Sequence, residues 1–316
     1  MGLRCAIAGY GLAGAVFHAP LIEAVGGLDL TAVMTRSPER AEQARAAHEG
    51  VRVVKTLDEL VEDADLLVVA TPNSSHVEVA MTGLARGLHV VVDKPLAVTA
   101  ADARRLVEAG AERVTVFHNR RWDGDFLTVQ RLVREGVLGQ ITRFESRFER
   151  FRPQIKAGWR EHGTPAQGGG VLLDRGPHLV DQALQLFGPP ESVYGEVRTL
   201  RPGALVDDDA FIALRHRGGE ISHLWMSAIA PLHGTRFRVS GMESGFVTDG
   251  LDPQEPQLRE GMRPGDPGFG EREGLERGDY AAFYEGVRDW ARGEAAAPVD
   301  PWDGVRVLEI LEAARA

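Results

Sequence analysis

Three glycines spaced Gly9-x-Gly11-x-x-Gly14 stand between a short apolar run, Arg4 to Ala8, and a helical pattern that opens at Ala13. This context constrains the chain more than any other feature in it. A glycine triad alone is a weak signal. After a strand and at the head of a helix, it is the turn of a βα unit suited to a dinucleotide pyrophosphate. Gly9 permits the tight turn, Gly11 lets the backbone approach the phosphates, and Gly14 lets helix and strand pack closely. Leu12 and Ala13 belong to the same cradle, where the positive end of the helix favours an anion.

The pattern then repeats. Apolar runs at Leu28 to Met34, Val51 to Val54, Leu66 to Ala70, Leu88 to Val92 and Val114 to Phe117 alternate with helical stretches at Ala13 to Val25, Pro38 to His48, Leu57 to Glu62, Val77 to Arg86 and Ala100 to Gly110. Strands alternating with helices predict a doubly wound parallel sheet of the Rossmann type, over residues 1–121. Leu66 to Val69 and Val90 to Val92 lack period-two alternation, as strands covered on both faces do.

Residues 122–316 read differently. After a helix at Asp125 to Glu135, Ile141 to Phe151 alternates as a strand. A helix within Gly168 to Gly188 is followed by strands at Ser192 to Leu200, Ala210 to His216, Glu220 to Ile229, Arg236 to Ser240 and Gly245 to Thr248. This predicts an α+β domain with a large open, mostly antiparallel sheet, so the whole chain is α/β with two domains. Phe211, Leu224, Trp225 and Met226 put apolar side chains on both faces. One face is therefore expected to bury itself against another subunit. The Pro- and Gly-rich stretch Gly250 to Gly278 is too long for an ordinary connection, which leaves a functional loop or a partly disordered one. Two helices, Tyr280 to Arg292 and Trp302 to Ala314, end the sequence.

Composition narrows the partners. The net charge is −10 with no basic block, which argues against nucleic acid as a partner. No apolar run reaches the roughly 20 residues of a membrane span, and the N-terminus enters a strand pattern at once, so a cytoplasmic enzyme is expected. The single cysteine, Cys5, sits in that strand as a small hydrophobe. No cluster has metal-ligand spacing. Only Lys55, Lys94 and Lys156 are lysines among 36 basic residues, which draws notice to Lys94.

Several groups could carry chemistry. The second strand ends in Thr35-Arg36-Ser37, with no carboxylate where a site for the unphosphorylated ribose places one about 20 residues after the glycines. A guanidinium, two hydroxyls and a new helix with Ser37 as N-cap and Pro38 at its first position suit a 2′-phosphate, hence NADP over NAD. Thr71-Pro72-Asn73 and His76 follow the fourth strand at the ligand edge, though the spacing equally describes a turn and a helix cap. Asp93 and Lys94, before Pro95, end the fifth strand at that edge. Asp174, His178 and Asp181 share one helical face, giving a carboxylate and an imidazole within reach of each other; Pro177 implies that the regular helix starts nearby or is kinked.

Taken in order, Gly9 to Gly14, Asp93-Lys94-Pro95, His118-Asn119-Arg120-Arg121-Trp122-Asp123 and Gly168 to Asp181 resemble the Gfo/Idh/MocA oxidoreductases over essentially the whole chain. Gly14 to Pro20, His118 to Asp123 and Trp159-Arg160-Glu161 look most like its NADP-dependent scyllo-inositol dehydrogenase branch. The resemblance implies Lys94, Asp174 and His178 as the catalytic set, and a subunit interface on the second sheet. Asp93 departs from the family's usual Glu. The expectation is reversible oxidation of a secondary alcohol on a cyclic polyol or sugar. His178 is the base, Lys94 stabilises the alkoxide, and Asn119, Arg121, Trp122, Trp159 and Arg160 are candidate substrate contacts. An aldose or anhydro-ketose substrate, or a non-catalytic dinucleotide-binding regulator, are the alternatives.

Overall fold

The computed structural model describes residues 2–155 and 158–316, with Trp159 and Arg160 described by backbone alone. The first sheet holds β1 (Leu3–Ala8), β2 (Leu28–Met34), β3 (Arg52–Val54), β4 (Leu66–Val69), β5 (His89–Asp93) and β6 (Val114–Phe117). Their order is β3-β2-β1-β4-β5-β6 and every pairing is parallel. The order reverses between β1 and β4, which opens a crevice beyond their carboxyl ends. All of β4, and Val90 to Val92 of β5, are fully buried, because helices cover both faces. Each such Val or Leu contributes about 1.5–3 kcal/mol of burial. Burial also pushes the Cys5 thiol up to about 12, so it packs as a hydrophobe.

The first helix departs from a regular α-helix over Ala13 to Val25. Ala13–His18 winds as a wide π turn, Ala19–Glu23 continues as α-helix, and Ala19 N donates to Gly14 O. Pro20 explains the change: it has no N–H for the carbonyl four residues back, and its ring pushes that carbonyl away.

The second sheet holds β7 (Ile141–Glu149), β8 (Pro190–Arg198), β9 (Asp209–His216), β10 (Ile221–Ser227), β11 (Phe237–Gly241) and β12 (Gly245–Thr248), ordered β12-β11-β7-β10-β9-β8. Only β7 and β10 pair in parallel. The helix Val171–Phe187 lies on one face, over Leu214, Leu224 and Met226. Phe211 and Trp225 point to the other face and stay half-exposed. That helix begins six residues before Pro177 and runs through it. Gly176 explains the tolerance in part: a Cβ there would meet Leu311 at 2.7 Å, so the helix Pro301–Ala313 packs too closely for the segment to splay. Pro301–Ala313 also packs on Ala100–Gly110 and so ties the second helix layer to the first sheet. Residues 250–278 are built into the fold. They contain the helix Gln254–Arg259, and Asp252 accepts from Gly124 N at 2.7 Å. Among the described residues no helix is long and apolar enough to cross a membrane.

Candidate active site

A cavity of about 360 Å³ opens where the crevice of the first sheet meets the helix Val171–Phe187. Its first wall comes from the glycine turn. Gly9 takes φ +101°, and a Cβ there would sit 2.6 Å from Ala70 O. A Cβ on Gly14 would sit 2.2 Å from Gly9 O, while one on Gly11 would meet nothing nearer than the Arg40 guanidinium at 3.8 Å. Gly9 and Gly14 are thus required by the fold, and Gly11 alone leaves space for a ligand. The first amides of a helix have no acceptor within the helix, so a helix start beside that space can offer them to a ligand. This is the cradle a pyrophosphate needs, and the residues fit a nicotinamide dinucleotide. Leu12, Ala13 and Phe17 line the same cavity.

At the end of β2, Thr35 Oγ1 accepts from Ser37 N at 3.3 Å, and Ser37 caps the next helix by accepting from Arg40 N. Arg36 is exposed and forms no ion pair among the described residues. At the end of β4, the polar groups serve the fold. Ser75 Oγ donates to Thr71 Oγ1 at 2.8 Å, and Asn73 Nδ2 donates across to Gly168 O at 3.0 Å. Both ring nitrogens of His76 lie against backbone carbonyls, of Pro95 at 2.8 Å and Thr71 at 2.9 Å. Burial lowers its pKa. His76 braces the loop after Pro72 against the Lys94–Pro95 segment, whose peptide bond is cis.

Lys94 crosses the cavity. Its ammonium donates to Asp174 O at 2.6 Å and to Asp174 Oδ1 at 3.2 Å. The carboxylate expected beside His178 is therefore engaged by the lysine of the first sheet. His178, one turn further along the helix, lines the same cavity, and its Nδ1 is buried without a partner among the described residues. Burial, then the charges of Lys94 and Arg120, hold the imidazole well below its ordinary pKa, so it is neutral near neutrality. Asp181, on the same helix, takes no part. It is paired with Arg121, whose Nε donates to Asp181 Oδ2 at 2.8 Å and whose Nη2 donates to Asp303 Oδ2 at 2.8 Å. Arg121 thus locks three helical segments together and is absent from the cavity lining.

Of the other expected substrate contacts, Asn119 lines the cavity. Trp122 packs edge-on to Phe283 at 5.6 Å and lies outside the lining. The side chains of Trp159 and Arg160 lie outside the described residues. The wall also contains charged groups that were not among the expected substrate contacts. Arg120 is buried and donates to Asp123 at 3.1 Å and Glu255 at 2.9 Å. Arg201 pairs with Glu161 at 2.8 Å and Asp208 at 3.1 Å. Arg150, Arg152 and Arg175 complete the basic side. A hint lay in Arg150-x-Arg152, which continues the alternation of β7 with arginines at its end.

A dinucleotide cradle and a lysine on one parallel sheet, facing an acid and a neutral imidazole held by a second domain, define a two-domain nicotinamide-dependent oxidoreductase. Residues 3–120 match the oxidoreductase family with an NAD-binding Rossmann fold, and residues 126–247 match the GFO/IDH/MocA C-terminal domain. The chain belongs to the Gfo/Idh/MocA oxidoreductases. It is 39% identical to the oxidoreductase YdgJ of Escherichia coli K12, over 98% of this chain and 94% of that one. It is 34% identical to the NADP(+) scyllo-inositol 2-dehydrogenase IolW of Bacillus subtilis 168, over 99% of this chain and 92% of that one. The solved structure of the oxidoreductase yvaA from Bacillus subtilis superposes with a TM-score of 0.92 at 32% identity, covering 100% of this chain and 95% of that one.

Proposed function

We propose that this chain is an NADP-dependent oxidoreductase that interconverts a secondary alcohol and a ketone on a cyclic polyol or sugar. The observation that carries the reading is the Lys94–Asp174 contact, with His178 a turn away, in the cavity that the glycine turn also lines. A boundary at residues 121/122 gives each domain one wall of that cavity. The similarity to IolW supports both the polyol and the phosphorylated cofactor.

Bound nicotinamide supplies the carbon that takes or gives the hydride. The protein's residues handle the charge. Lys94 holds a fixed cation where the substrate oxygen becomes an alkoxide, and Asp174 fixes the direction of that cation. With Nδ1 buried, Nε2 of His178 is the nitrogen available to the cavity and receives the hydroxyl proton. The Lys94 charge makes His178 a weaker base, but it also acidifies the hydroxyl beside it, so proton transfer stays balanced. Arg36, free and exposed beside the Ser37 cap, meets the 2′-phosphate as a charge-assisted donor.

Dinucleotide titration and turnover, measured on the wild type and two variants, test this. His178→Ala should keep wild-type NADP affinity and lose on the order of 10²-fold or more in kcat, the scale of a lost general base. Arg36→Ala should weaken NADP and leave NAD unchanged. Near wild-type turnover in His178→Ala removes the proposed base. A wild type that binds NADP yet turns over nothing across a polyol, aldose and keto-sugar panel makes the chain a dinucleotide-binding regulator.

A further inference from the structure

The cations of the cavity divide into two sets. Lys94, Arg120 and Arg201 each have a carboxylate within 3.2 Å. Arg150, Arg152 and Arg175 have none at ion-pair distance among the described residues. Arg175 is buried and fastened through backbone alone, donating to Phe148 O at 3.0 Å and to Ser227 O. Its guanidinium and that of Arg150 each lie 5.3 Å from the Phe148 ring centroid, with the paired Arg120 at 4.9 Å, so these charges gather around one aromatic ring. They are close enough to disturb one another. Burial first, then Arg152, lowers Arg150; burial, opposed by Asp174 and aided by Arg150 and Arg152, brings Arg175 down to about 10.

Gathering three guanidinium groups in a half-buried wall is unfavourable unless something negative joins them. Asp174 offsets part of this repulsion on Arg150 and Arg175, but it is hydrogen-bonded to Lys94, and the other acids of the cavity are engaged elsewhere. Glu161 is on Arg201, Glu255 on Arg120, and Asp207 on Arg315 at 2.6 Å. A neutral polyol would not supply it either, since hydroxyl groups need donors and acceptors in mixed array rather than three cations together. An oxyanion fits, because forked guanidinium donors match carboxylate and phosphate oxygens. The pyrophosphate of the dinucleotide belongs to the opposite wall, at Gly11.

We propose that Arg150, Arg152 and Arg175 form an oxyanion subsite, and that the sugar or polyol substrate carries a carboxylate or phosphate group held there. This rests on reading the same cavity as the active site. The subsite would orient the ring from its charged end while Lys94 and His178 act on a hydroxyl at the other. It would also offset part of the positive potential that opposes a proton on His178.

Calorimetric titration of the NADP-loaded enzyme with inorganic phosphate and with acetate separates the two sources of the oxyanion. A matched pair, D-glucose 6-phosphate and D-glucose, reads the same site with a ring attached. The expected result is saturable binding of at least one of the two anions, and tighter binding of the phosphorylated sugar than the neutral one if phosphate is the better anion. In the double variant Arg150→Met, Arg152→Met that anion should bind roughly 10–100-fold more weakly, the scale of lost hydrogen bonds to a charged group. NADP affinity should stay at the wild-type value. Binding of neither anion overturns the proposal, as does equal affinity in the double variant. A parallel loss of NADP affinity overturns it too, since the arginines would then serve the pyrophosphate. The outcomes are separable from the oxidoreductase reading. Turnover of a neutral polyol without arginine-dependent anion binding removes the subsite alone, and arginine-dependent anion binding with no turnover across the substrate panel removes the reaction alone.

Discussion

The two sheets solve burial in opposite ways, and the two walls of the cavity inherit the difference. The first sheet is covered on both faces, so its ligand edge is made of strand ends and tight turns, and its chemistry is mostly backbone: Gly9, Gly11, the helix start, and one projecting lysine. The second sheet is covered on one face only, and its wall is made of long side chains, Arg175 and Arg201 among them, held by acids or carbonyls from distant segments. A wall of backbone accepts what every dinucleotide shares. A wall of side chains takes its specificity from which residues stand in it. The division of labour between a constant cofactor and a variable substrate follows from how each sheet is buried.

The largest effect should come from breaking the backbone wall. A Cβ at position 14 falls 2.2 Å from Gly9 O and 3.4 Å from Ile7, and neither a carbonyl in a tight turn nor a buried strand can yield. Gly14→Ala should cost about 1–3 kcal/mol in denaturant titration, the usual range for overpacking, and lose dinucleotide binding as well. Gly11→Ala meets only a mobile guanidinium at 3.8 Å, so the fold should keep its stability while NADP affinity falls. Wild-type NADP affinity in Gly11→Ala would mean that the phosphates lie elsewhere.

What could be read in the sequence follows the same division. The parallel first sheet, the second sheet, the Ser37 cap and the position of Lys94 at a strand end are local or periodic properties, and they emerged within a residue or two. The end of β7 is an example of the error: the alternation runs to Phe151, but pairing stops at Glu149 and Phe151 forms a lone bridge with Ile229. The contacts that decide the site are tertiary. Spacing on a helix puts Asp174 and His178 on one face, but it cannot show that Lys94, 80 residues earlier, takes the carboxylate. Arg121 is expected as a substrate contact because it sits in a site-bearing motif; in the structure it pairs with Asp181 and with Asp303 on the last helix, and it does not line the cavity. The meeting of Arg150 and Arg175 around Phe148 joins two segments and cannot be read from either one alone.

A middle-sized effect sharpens the contrast from the side of the first domain. His18 is fully buried at the foot of the glycine-turn helix, 2.7 Å from the Tyr284 hydroxyl through Nδ1. Its Nε2 is 3.9 Å from Asp93, which would reward a charged ring, but that distance is too long for a hydrogen bond and burial dominates. The pKa falls from 6.5 to about 4. The unfolded chain therefore binds a proton on this residue that the folded chain refuses, so its stabilising contribution is intact above pH 6.5 and declines as pH falls towards 4. Between pH 6.5 and 5 the loss should be about 2 kcal/mol. Denaturant titrations at pH 7 and pH 5 read it directly, and His18→Gln should reduce the difference between them. An unchanged difference in that variant would assign the acid sensitivity to other buried groups.

The smallest effect on the fold, and the most telling for the comparison, concerns the uncovered face of the second sheet. Glu196, Phe211, Trp225 and Arg147 stand side by side across β8, β9, β10 and β7. Phe211 and Trp225 approach to 5.1 Å between ring centroids, and the Arg147 guanidinium lies 3.8 Å above the Trp225 ring. His223 stands 5.6 Å from Trp225 on the same face, and Tyr194 is 58% exposed beside it. Aromatic side chains with a stacked arginine are the residue types that anchor protein interfaces, and a sheet can bury such a face against its own copy by two-fold symmetry. The chain should therefore sediment as a dimer or larger assembly at micromolar concentration. Trp225→Glu should shift it towards monomer while far-UV circular dichroism and NADP binding stay at wild-type values, because Leu224 and Met226 hold the opposite, covered face. A wild type that is monomeric under those conditions would leave the second sheet open in solution as well. A Trp225→Glu protein that unfolds instead would mean that the face contributes to the fold of a single chain.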